Sequence, residues 1–132
     1  MDQTKIHTIN TLLQETEPKI KQICSPYNYN CFEISRALSK LFSNHHIQFC
    51  SIYAEVEFID DPKCLPLHIT TSIDGELFDA GGHLYQTHLL EEYSPTANED
   101  LIHIDSTYKF EHVTSDSLVD QIHRIYSDNL QR

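Results

Sequence analysis

A chain of 132 residues is sized for a single domain, 1–132, with one core, and its formal net charge of −11 excludes nucleic-acid binding by phosphate neutralisation, which needs clustered Lys and Arg. The same acidity disfavours an anionic membrane surface, and no apolar run approaches the length of a membrane span. The polar start MDQTKIHTIN has neither the basic region nor the apolar stretch of a secretory signal, so a cytoplasmic protein is expected.

The first elements read as helix. Ile6, Ile9, Leu12 and Leu13 recur at helical spacing, and Pro18 is expected to open a second short helix carrying Ile20 and Ile23. Residues Ser25-Pro26-Tyr27-Asn28-Tyr29-Asn30 form a break rich in turn and cap formers. Asn30 then suits the N-cap of the next helix, and Glu33 three positions on completes a capping-box pattern. The apolar face of that helix is Cys31, Ile34, Leu38, Leu41 and Phe42, and Ser43-Asn44 ends it.

From residue 47 to 58 the period changes to two. Cys50, Ile52, Ala54, Val56 and Phe58 face one way, and Ser51, Tyr53, Glu55 and Glu57 the other. A loop holding Pro62 and Pro66 is expected next, followed by a hairpin of Leu67–Ile73 and Glu76–Ala80 around the two-residue turn Asp74-Gly75. Gly81-Gly82 breaks the second strand of the hairpin, and Leu84–Glu92 could form a short helix. Leu101–Asp105 and Tyr108–Val113 read as two further strands. A closing helix carries Leu118, Ile122, Ile125 and Tyr126 on one face, with Ser115 or Ser117 as its cap. The order is α+β: N-terminal helices, a Cys-headed helix packed on an antiparallel sheet, and a C-terminal helix.

Three residues in this order have the chemistry of a thiol active site. A cysteine in the first turn of a helix feels the positive end of the helix dipole and unpaired backbone N–H groups, which favour a thiolate and can also bind an oxyanion. Cys31 holds that place, and Asn28 or Asn30 could add a side-chain amide donor. With Asp74-Gly75 as a two-residue turn, Ile73 pairs with Glu76 and Thr70 with Asp79, so His68 and Asp79 are same-face diagonal neighbours roughly 7–8 Å apart at the backbone. The carboxylate can then orient the imidazole, whose other nitrogen is left to exchange a proton with the thiol.

Other chemistries find less support. Cys24, His45, His46, Cys50 and Cys64 fall at no recognised zinc spacing, so neither a metal nor any other cofactor is expected. With no CxxC pair, the cysteines are expected to be reduced thiols. No G-x-S-x-G elbow is present, and three glycines in all leave no Gly-rich phosphate cradle.

Two blocks resemble the transglutaminase-like branch of the papain-like cysteine enzymes. The first is Asn30-Cys31-Phe32-Glu33-Ile34-Ser35-Arg36-Ala37-Leu38-Ser39-Lys40-Leu41-Phe42 with the strand that follows, and the second runs from His68 through Asp74-Gly75 to Asp79-Ala80. The resemblance implies Cys31 as nucleophile, His68 as general base and then acid, and Asp79 as the orienting carboxylate. Where the family usually has Gly beside the cysteine and Trp two after the histidine, this chain has Tyr29, Asn30 and Thr70. The implied function is amide-bond or acyl transfer on a protein, a peptide or a small acyl or amide compound, by a peptidase, glutamine deamidase or acyltransferase. The alternative is a catalytically inactive, acidic protein-binding module on the same fold.

Overall fold

A computed structural model describes residues 2–24, 30–58, 61–85, 102–105 and 114–131, with the side chains of 53–67 and 102–105 outside the description. Among the described residues three helices, α1 (Gln3–Ile23), α2 (Cys31–Leu41) and α3 (Asp116–Leu130), accompany five strands, β1 (Ile47–Phe58), β2 (Asp61–Ile73), β3 (Glu76–Asp79), β4 (Gly82–Leu84) and β5 (Ile102–Asp105). The described strands form one antiparallel sheet in the order β4-β3-β2-β1-β5, so the architecture is α+β. The expected strand Tyr108–Val113 and most of the expected helix Leu84–Glu92 lie outside the described residues; Leu84 itself closes β4.

The helices share one core. Ile6, Ile9, Leu13 and Ile20 of α1, Ile34, Ala37 and Leu38 of α2, and Val119, Ile122 and Tyr126 of α3 cluster on Ile73, Phe78 and Ala80 of the hairpin. Contrary to the expected second helix, α1 runs unbroken through Pro18. An interior proline costs about 3 kcal/mol in an isolated helix. Continuing the helix keeps Ile20 on the buried stripe, at 0 % exposure, which returns about 1.5–3 kcal/mol. The Thr16 hydroxyl also donates to the carbonyls of Leu12 and Leu13, one turn before the proline.

The hairpin follows the expected register, with Ile73 opposite Glu76, Ser72 opposite Leu77 and Thr71 opposite Phe78. Asp74 and Gly75 both take positive φ, 49° and 89°, as a type I′ turn requires. The carboxylate of Asp74 anchors this tip to the α2–β1 connection. Its Oδ2 lies 2.6 Å from His45 Nδ1, and its Oδ1 accepts from the His46 backbone N–H at 2.8 Å.

Instead of the expected loop, Pro62 and Pro66 lie within β2. Because β3 pairs only with residues 71–73 of β2, the stretch from 61 to 70 has no partner from β3, and prolines are tolerated where no ladder donor is needed. The pairing of β1 with β2 slips by one between Ile52–His68 and Tyr53–Pro66, which leaves Leu67 as the extra residue of a bulge directly before His68. Ser115, rather than Ser117, caps α3 by accepting from the Leu118 N–H.

Candidate active site

Cys31 is the first residue of α2 and is half-buried, facing the sheet rather than sealed in the core. Asn30 occupies the N-cap position, but its side chain makes no capping hydrogen bond and its backbone (φ −106°, ψ 20°) lies outside the extended region a side-chain cap uses. The capping box read from Asn30 and Glu33 is therefore not formed. Asn28, the other candidate donor, lies outside the described residues.

His68 stands on β2 immediately after the bulge, a place where strands often re-aim a side chain. Its Nε2 lies 3.0 Å from Asp79 Oδ2. An ionised carboxylate can only accept, so Nε2 carries the proton and donates. The Cys31 side chain lies beside the His68 ring, close enough to raise its proton affinity, and Nδ1 is the ring nitrogen not engaged by Asp79. The structure thus brings Cys31, His68 and Asp79 together around one small cavity, with a hydrogen bond between His68 and Asp79. Side-chain exposures of 19 % for His68 and 22 % for Asp79 place the pair at the edge of solvent.

Burial opposes the charged form of His68, but the hydrogen bond and charge of Asp79, with a further contribution from the neighbouring Cys31, outweigh it, and the imidazole is pushed up to about 9. At neutral pH the ring is therefore an imidazolium, with a proton on each nitrogen. That is the state able to protonate a leaving group.

Asp79 is itself held. Its Oδ1 accepts from the Gly81 backbone N–H at 2.8 Å while Oδ2 serves His68, so both carboxylate oxygens have fixed partners. A cavity of about 20 Å³, room for one water-sized group, lies against the thiol and is lined by Cys31, Ile34, Ser35, His68, Ile69, Asp79 and Ala80.

Among the described side chains, Cys24 and Cys50 are buried and form no disulfide, and burial, reinforced by Glu33, raises the Cys24 thiol above its ordinary value. No cluster of three or more metal-ligating side chains occurs among the described residues. None of the described helices is long and apolar enough to cross a membrane.

Sequence reasoning missed two contributors, the bulge at Leu67 and the Gly81 N–H. Pro66, which removes a ladder donor beside the slip, and the Gly81-Gly82 pair after Asp79 were the available signals. No protein-family model, curated protein or solved structure matches the chain.

Proposed function

We propose that the protein is a cysteine-dependent enzyme of amide-bond or acyl transfer, with a transglutaminase-like, papain-like core and the triad Cys31, His68 and Asp79. The observation that carries this reading is the convergence of the three side chains on one cavity, with Asp79 on Nε2 of the imidazole and Cys31 beside the same ring. A histidine placed only for packing needs neither partner, and a cysteine placed only for packing needs no base.

The chemistry follows from the proton inventory. Cys31 sulfur attacks the carbonyl carbon, forming a C–S bond, and the carbonyl oxygen takes up the negative charge beside the first backbone N–H groups of α2. Collapse of the tetrahedral species breaks the C–N bond, and the Nδ1 proton of His68 goes to the departing amine. Neutral His68 then removes a proton from water or an acceptor amine as it attacks the thioester, and the thiolate leaves. Throughout, Asp79 holds the Nε2 proton and balances the charge on the ring. Peptidase, deamidase and acyltransferase chemistry share these steps and differ in the amine that leaves and the nucleophile that arrives.

Interception of the acyl-enzyme tests the proposal. The protein is incubated with a mixture of glutamine-containing and other peptide amides plus hydroxylamine, which converts a thioester of any of the three reaction types into a hydroxamate. Hydroxamate should form with the unaltered protein and be lost in Cys31→Ala. In parallel, Cys31 should alkylate at neutral pH at least about tenfold faster than in His68→Ala, within the range a positioned base contributes. Alkylation of Cys31 unaffected by His68→Ala, with no hydroxamate formed, would leave the fold as a non-catalytic module.

A further inference from the structure

The side of Asp79 remote from His68 is built by α1, an element with no assigned part in the chemistry. Asp79 pairs with Gly82 across the Ala80-Gly81 turn that joins β3 to β4. Three side chains of α1, at positions 10, 14 and 17, stand on one helical stripe against that turn. Asn10 Oδ1 accepts from the His83 backbone N–H at 2.8 Å, two residues after the Gly81 N–H that fixes Asp79 Oδ1. Gln14 Cγ and Glu17 Oε2 lie 3.4 Å and 3.0 Å from where Cβ atoms on Gly82 and Gly81 would stand.

The approach is close enough to demand glycine at 82 and to leave little space for a side chain at 81. A Cβ on Gly82 would overlap Asn10 Oδ1, at 2.3 Å, and the backbone there has φ +125°, which L side chains rarely adopt. A Cβ on Gly81 would press on Glu17 and on the Asp79 carboxylate, whose Oδ1 would be 3.3 Å away. The turn therefore lies close between α1 and the Asp79 carboxylate.

We infer that Asn10 is a positioning residue of the active site: by binding the His83 N–H across Gly82 it seats the β3–β4 turn so that the Gly81 N–H holds the Asp79 carboxylate against His68. The inference rests on the triad reading above. Asn10 touches no reacting atom. Its effect passes through two backbone groups to the rotation of one carboxylate, and from there to the proton affinity of His68.

The test follows the His68 imidazole by NMR pH titration in the whole protein, alongside the rate of Cys31 alkylation at pH 7. Asn10→Ala should fold, since Asn10 is only half-buried on a helix that favours alanine. It should lower the His68 midpoint from its value of about 9 by about one pH unit, the small end of what a displaced counter-charge produces, and slow alkylation. Asn10→Asp, which keeps the acceptor oxygen in place, should restore the midpoint. A general loosening of the fold would not be rescued in this way.

Asp79→Asn serves as the reference. If it lowers the midpoint and Asn10→Ala does not, the positioning role of Asn10 is refuted and the triad stands. If neither moves it, the coupling of Asp79 to His68 is refuted, and with it the triad and this inference.

Discussion

Replacing Asp79 by Asn tests the electrostatic heart of the site with a change of a single heavy atom. In the folded protein His68 rises from 6.5 to about 9 despite burial that pulls it down. At about 1.4 kcal/mol per pH unit, that rise is worth about 3 kcal/mol in favour of the imidazolium. With His68 side-chain exposure at 19 %, solvent screens only part of it. The substituted amide would leave the burial and the Cys31 contact but remove the charge, so the midpoint should fall by about 1–3 units.

The sign for stability follows from linkage. A group whose folded pKa lies above its unfolded value contributes stability that is fully present below the unfolded value and lost as pH rises through the folded one. His68 therefore stabilises the unaltered protein fully below pH 6.5, and that contribution fades as pH climbs to about 9. Urea unfolding at a series of pH values should show this decline in the unaltered protein and a flatter profile in Asp79→Asn, with the NMR titration of His68 as the direct readout. A His68 midpoint that stays near 9 in Asp79→Asn refutes the assignment of the carboxylate as the main source of the rise.

Two further substitutions probe the frame around the site. Gly82→Ala should cost about 3 kcal/mol in urea unfolding, combining backbone strain at φ +125° with the overlap on Asn10; Gly75→Ala, at φ +89° with open space around it, should cost only about 1 kcal/mol. Tyr126→Phe removes a hydroxyl that is fully buried and has no hydrogen-bond partner among the described residues, so thermal melting should show equal or greater stability. A loss above about 1 kcal/mol there would mean that the hydroxyl is satisfied in solution.

The legible parts of this chain are those in which local chemistry and tertiary structure agree. The Asp74-Gly75 pair dictates a two-residue turn whatever surrounds it, and that alone sets the register that brings Asp79 beside His68. The apolar spacing of Ile34 and Leu38 likewise fixes which face α2 buries and leaves Cys31 at its start. Where the sequence misled, a long-range contact overrode a local preference. Pro18 is a helix breaker only until the burial of Ile20 is counted, and Pro66 signals a loop only until β2 is seen to run past the end of β3. The role of α1 had no local signature, because Asn10 and Glu17 look like ordinary solvent-facing helix residues until the Gly81-Gly82 turn is placed against them.

On the proposed function the nucleophile and the base come from a helix and a strand, so the site depends on what holds α2 in register with β2. Two ties do so, one at each end. At one end Cys31 meets His68, and at the other the Asp74 carboxylate grips the chain just past α2 through His45 and the His46 N–H. Eleven residues of α2 span about 16 Å, and the path from His68 to Asp74 along β2 spans about 20 Å, so the short turn after Leu41 makes up the difference. The His45 contact, and then the His46 N–H, hold the Asp74 carboxyl below its ordinary value, so this tie is intact above pH 3.8 and loosens only as pH falls through that lowered value. The Cys31–His68 end weakens in the opposite direction, as the imidazolium loses its proton near pH 9. Helix and hairpin are therefore locked at both ends only between these limits, a window that contains neutral pH. Removing the Asp74 charge with Asp74→Asn should therefore slow Cys31 alkylation at pH 7, where His68 is still protonated.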